Sequence, residues 1–153
     1  MAEFKGKKIA IASLSPASLQ QESTHTYWNS FKSGNPNTVL ILIPANDFNS
    51  VAYPVKMENI KNNLSENIVL SVGVLVKKNN GSSQDAVMQW LTNSEKNFHF
   101  NEDVETDVQL YLISESGVLY SVLNKGVPGQ VLDDVLNQTE VKEQNIVPTD
   151  TEQ

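Results

Sequence analysis

Thr38-Val39-Leu40-Ile41-Leu42-Ile43-Pro44 is the stretch on which the fold turns. It is continuous, rich in β-branched side chains and too short for a buried helix, so it predicts a strand covered on both faces. Pro44 ends it. Immediately upstream, Gly34, Asn35 and Pro36 punctuate the chain. Before them, residues 19–32 predict a helix whose apolar stripe is Tyr27, Trp28 and Phe31. Further back, residues 8–13 predict a strand with Ile9 and Ile11 on one face. Two strands joined by a crossover helix are parallel, with a right-handed connection.

Downstream, residues 45–54 read as a loop, 56–64 as a short helix and 68–76 as an extended segment containing Gly73. Asn79-Asn80-Gly81 signals a turn. A helix follows, with Ser83 as N-cap, Asp85 in its first turn, and Ala86, Val87, Trp90 and Leu91 as the buried stripe. Residues 93–105 are polar and irregular. Val108, Leu110 and Leu112 alternate with Gln109, Tyr111 and Ile113 as the two faces of a strand. Residues 114–117 turn it into a partner strand over 118–123. After Gly126 and Pro128, a last helix turns Val131, Leu132, Val135 and Leu136 inward.

Residues 139–153 are polar and are expected to form a disordered tail, leaving one domain over residues 1–138. The order is β-α-β, then irregular connections, then a β-hairpin and a closing helix. A mixed sheet with helices on both faces satisfies it, in a three-layer α/β/α sandwich. That is the order of a thioredoxin-like fold.

Composition narrows function by exclusion. The chain has 153 residues and a formal net charge of -7. Its 11 basic residues are all lysine, which argues against a nucleic-acid partner and removes guanidinium clamps. It has no cysteine, hence no disulfide, thiolate metal site or thiol nucleophile. No apolar run approaches a membrane span of about 20 residues. The apolar stretch after Lys5, Lys7 and Lys8 is too short and too rich in alanine and serine for a signal peptide. A cytoplasmic, soluble, acidic protein is therefore the expectation, with an exported mature form left open.

The segments resemble the glutathione peroxidase family over residues 4–136. Phe4-Lys5-Gly6-Lys7 matches its lead-in, and Ser13-Leu14-Ser15-Pro16-Ala17-Ser18 stands where its Asn-Val-Ala-Ser-Lys-Cys loop stands. Ile43-Pro44-Ala45-Asn46-Asp47-Phe48-Asn49 occupies the place of Phe-Pro-Cys-Asn-Gln-Phe-Gly, with Pro54 near a later family proline. Asn80-Gly81 precedes Trp90-Leu91, as Asn-Gly precedes Trp-Leu in the family. Thr106-Asp107-Val108 and Tyr111-Leu112-Ile113-Ser114-Glu115-Ser116-Gly117 match its Trp-Asn-Phe motif and hairpin.

The resemblance implies a catalytic set of Cys or selenocysteine, Gln, Trp and Asn. Here those positions hold Ser18, Asp47, Thr106 and Asp107; a small gap would instead put Ser15 at the nucleophile. All four are changed. A serine hydroxyl neither ionises near neutrality nor climbs the oxidation ladder of a thiol. The implied reading is a peroxidase-like domain without redox catalysis, acting as a binding or structural module. It calls for no cofactor and for a protein partner, meeting loops 15–18, 45–50 and 106–108.

Other constellations are weaker. A Ser-His-Asp triad could draw only on His25 and His99, both expected in solvent, and no Gly-x-Ser-x-Gly elbow exists. Asp103, Glu105 and Asp107 alternate and could offer oxygen ligands to a cation, but they lack the rest of a calcium loop, so no metal is expected. If Asp47 and Asp107 converge beside Ser18, a non-redox enzyme using paired carboxylates is the alternative function. An unrelated acidic α/β protein is the third reading.

Overall fold

The computed structural model describes residues 4–48, 57–124 and 135–136. Its centre is a five-stranded mixed sheet in the order β3-β2-β1-β4-β5. The strands are β1 (Ile9–Leu14), β2 (Val39–Pro44), β3 (Ile68–Leu70), β4 (Gln109–Ile113) and β5 (Leu119–Asn124). β1 runs parallel to β2, with Ile9 opposite Val39 and Ser13 opposite Ile43. β2 runs parallel to β3. β4 lies antiparallel to β1, pairing Ser13 with Gln109 and Ile9 with Ile113, and β5 completes the hairpin. Gly117, at φ +88, closes that hairpin in a backbone conformation that side-chain-bearing residues resist.

The covered central strands follow from their sequence. Alternate residues face opposite layers. Ala10, Ala12, Leu14, Leu40, Leu42, Leu110 and Leu112 pack with Trp28 and Phe31 of α2 (Glu22–Gly34) and Ile60 of α3 (Met57–Asn63). Trp28 and Phe31 meet edge-on, with ring centroids 5.5 Å apart. The odd-numbered set, Ile9, Ile11, Ile41, Ile43, Tyr111 and Ile113, packs with Val76, Val104 and α4 (Ala86–Thr92). Each large aliphatic buried this way contributes roughly 1.5–3 kcal/mol. Leu136 is helical and buried in the first cluster, and its carbonyl accepts from Lys8 Nζ. Among the described residues, no helix is long and apolar enough to cross a membrane.

Several local expectations change. Residues 15–18 are not a plain loop, because Pro16–Leu19 form a short helix, α1. The helix after Gly81 is capped by Asp85, whose carboxylate accepts from the Val87 and Met88 N–H groups; Ser83 belongs to a preceding 3-10 segment, Lys78–Ser83. The inward face rotates accordingly. Met88 and Leu91 are fully buried, Val87 and Trp90 are half-buried, and Ala86 is exposed. Tyr27 is half exposed although its neighbour Trp28 is buried. The extended segment at 68–76 narrows to β3 plus an isolated bridge between Ala45 and Val74. The 93–105 connection contains a further turn of helix, α5 (Ser94–Asn97). Pro54, Val131, Leu132 and the 139–153 tail lie outside the described residues.

Candidate functional site

The carboxyl ends of β1 and β2 open on one edge of the sheet, and the start of antiparallel β4 meets them there. Crevices at such edges are the usual ligand sites of open α/β sheets. Leaving β1, the chain turns at Ser15 (φ −65, ψ 154), whose hydroxyl oxygen accepts from Ser18 N at 3.1 Å. Pro16 at the first helical turn needs no donor there. This N-cap turns Ser18 back toward the sheet and leaves it buried.

Asp107 closes the corner from the other side. Its Oδ1 accepts from Ser15 N at 2.7 Å and its Oδ2 accepts from Ser18 Oγ at 2.6 Å. Both bonds involve a carboxylate and belong to the stronger class. The candidate nucleophile, its alternative Ser15 and the position Asp107 thus meet, although Asp107 lies 89 residues beyond Ser18. Thr106 sits beside them in sequence, but its hydroxyl donates to Val108 O at 3.1 Å.

Asp47 has a different environment. It lies in a 3-10 turn after β2 and accepts from Val76 N at 3.0 Å, Lys77 N at 2.8 Å and Asn80 Nδ2 at 2.8 Å. Burial opposes its ionisation, but the hydrogen bonds from Val76 and Lys77, assisted by Asn80, outweigh burial and hold the carboxyl below its usual range. Lys77 Nζ lies 4.3 Å from the centroid of the Phe48 ring, reinforcing the same junction. Asp47 and Asp107 therefore serve separate sets of donors.

The alternating acidic residues do not act together. Asp103 Oδ1 accepts from Lys78 N and Val104 N, Glu105 is exposed, and Asp107 faces Ser15 and Ser18. Among the described residues, no group of three His, Asp or Glu side chains is placed to hold a metal ion. His25 departs from its expected solvent position: it is buried, and its Nε2 lies 2.5 Å from Leu19 O. His99 is exposed as expected.

Gln109 was missed by sequence reasoning. Only 1% exposed, it accepts from Glu105 N at 3.2 Å through Oε1, and its Nε2 lies 3.4 Å from Asp103 O. Its signal was an amide on the apolar odd-numbered face of a strand. Opposite it, Ser13 Oγ is buried with no hydrogen-bond partner among the described residues. Burial, followed by the charges of Asp103 and Glu102, drives the Tyr111 phenol far above its ordinary pKa, so it stays neutral.

The strand order, two parallel β-α-β steps and an antiparallel hairpin decide the architecture. The fold is thioredoxin-like. No family model matches the sequence, and no curated protein matches it. Solved structures do. The apo form of Trgpx superimposes with a TM-score of 0.61 at 16% identity, covering 88% of this chain and 81% of that one. T. cruzi GPX1 gives 0.60 at 13% identity, covering 89% and 83%. The exposed lipoprotein thioredoxin Etrx1 of Streptococcus pneumoniae gives 0.55 at 12%, covering 88% and 87%. Peroxidase-like proteins thus stand among the neighbours of this thioredoxin-like chain, in accord with the sequence resemblance. At these identities the likeness is one of fold.

Proposed function

We propose that this chain is a glutathione-peroxidase-like domain that carries out no thiol chemistry and serves as a binding or structural module. The carrying observation is the hydroxyl of Ser18, at the resembled nucleophile position, donating to Asp107 at 2.6 Å. A peroxidase nucleophile must ionise and survive as a sulfenate. Serine does neither, and a carboxylate at hydrogen-bonding distance repels any anion formed there. The Asp107 carboxylate orients Ser18 and clamps Ser15, fastening the first turn of α1 to the start of β4.

A protein partner belongs to the same reading. It would meet segments 15–18, 45–50 and 106–108, of which Asn49 and Ser50 lie outside the described residues. Asp47, Glu105 and Asp107 give this edge acidic character, which favours a basic partner surface. Amide-exchange protection by a bound partner should fall on these segments; protection confined elsewhere would remove this part of the reading.

The direct test replaces Ser18 with cysteine. Wild type and Ser18→Cys should both fail to turn over hydrogen peroxide with glutathione or reduced thioredoxin. The new thiol should be alkylated slowly at neutral pH, because Asp107 opposes its thiolate. Rapid peroxide turnover by Ser18→Cys would overturn the site assignment.

The close Ser18–Asp107 pair also favours a second reading, a non-redox enzyme using that carboxylate. An NMR titration of Asp107 with an ordinary carboxylate midpoint would remove it.

A further inference from the structure

Phe98 is the one non-glycine residue among the described residues with positive φ, at φ 70 and ψ 1, and it is 81% exposed. Glycine or asparagine suits a left-handed helix end better, and a bulky side chain there costs stability. The surroundings nevertheless hold it firmly. Phe98 N donates to Ser94 O at 2.8 Å. Buried Asn97 donates to Trp90 O at 2.7 Å and Phe100 O at 2.9 Å, and accepts from His99 N at 2.8 Å and Phe100 N at 2.7 Å. A costly conformation, held by a buried amide, presents a large aromatic ring to water. An exposed aromatic on a fixed backbone is suited to anchor a protein interface.

A matching hollow lies on the same part of the molecule. An apolar groove of about 590 Å³ runs between the N-terminal segment, α4 and the β4–β5 hairpin, lined by Phe4, Ile9, Val87, Trp90 and Ile113. Lys5 and Lys7 stand at its border with Glu115. Residues 94–103 around Phe98 carry three carboxylates (Glu95, Glu102 and Asp103) against one lysine, Lys96. Lys78 also reaches this patch, its Nζ donating to Asn101 Oδ1 at 2.8 Å, which leaves an acidic excess of one charge facing a basic excess of one at the groove border, and the two are complementary. Knob and hollow are also neighbours, since Trp90 lines the groove while its carbonyl anchors the Asn97 amide beneath Phe98. A two-fold contact requires self-complementary features on one contiguous surface.

We infer that the chain forms a reciprocal two-fold dimer, with Phe98 of each copy inserted into the Phe4–Val87–Trp90 groove of the other. One aromatic anchor per copy makes a small interface, so association falls in the micromolar range. This contact is separate from the Ser18–Asp107 corner and does not depend on the proposed function.

Sedimentation equilibrium of the full chain tests it. Wild type should pass from monomer to dimer with concentration. Phe98→Asp should weaken dimerisation at least about 30-fold while still folding, because aspartate tolerates left-handed backbone. Val87→Glu, which fills the groove, should do the same. An equimolar mixture of the two variants should recover part of the association, because one intact Phe98 can enter one intact groove; a misfolded variant could not. A wild type that stays monomeric, a Phe98→Asp chain that dimerises like wild type, a mixture that stays monomeric, or an open polymer growing with concentration would each overturn the inference.

Discussion

Two acidic corners sit at the same edge of the sheet, and they hold different kinds of group. Asp107 reaches one backbone N–H and one side-chain hydroxyl, both on the turn after β1. Asp47 reaches two backbone N–H groups and one amide on the segment entering the 3-10 turn at Lys78. The first fastens the turn after β1 to the start of β4; the second holds a connection. Two of the three donors to Asp47 are peptide groups, which most side-chain substitutions leave in place, so its role is architectural. A carboxylate bound by a serine hydroxyl has a partner that a single substitution can change.

The sharpest test removes the architectural carboxylate. Asp47→Ala should cost about 2–4 kcal/mol, because the N–H groups of Val76 and Lys77 lose a charged acceptor. Denaturant unfolding would measure it, and amide exchange at Val76 and Lys77 should accelerate. Asp107→Ala should cost less, about 1–2 kcal/mol, because the Ser18 hydroxyl can rotate to another acceptor, so only the Ser15 N–H loses a fixed partner. If Asp107→Ala costs more than Asp47→Ala, the assignment of the two corners is reversed.

Acid should act on the Asp47 corner more gently than substitution. Its pKa is depressed on folding, so its ionic contribution is complete above the ordinary carboxylate value near ~4 and is lost as pH falls through the lower folded value. Protonation leaves the oxygens in place. Thermal melting of Asp47→Asn should therefore lose less stability than wild type between pH 4 and strong acid; parallel acid limbs would contradict this. Ser18→Ala should have the smallest effect, about 0.5–1 kcal/mol in urea unfolding, because Asp107 keeps its bond from Ser15 N.

How far each region was legible follows from how local its causes are. β1, β2 and the β4–β5 hairpin are written in contiguous apolar runs and a Gly117 turn, and they stand where the pattern puts them. α1 escaped although its signals were present: Ser15 as N-cap and Pro16 in the first turn are explicit, but four residues carry no periodicity. The N-cap moved from Ser83 to Asp85 because the intervening 3-10 turn, with Gly81 at φ +57, used up the residues that looked like a helix start. His25 looked like a surface residue, since nothing local reveals that the Leu19 carbonyl lies beneath it.

At the candidate site the division is the same. The sequence alone establishes that no thiol can act here, because it contains no cysteine, and it nominates Ser18 and Asp107 through their places in a resembled pattern. Only the tertiary structure brings those two side chains to 2.6 Å and directs Asp47 toward Val76 and Lys77. The reason is physical. Strand and helix character arises from neighbours within a few residues, whereas a hydrogen bond between positions 18 and 107 exists only after sheet pairing has placed β4 beside β1.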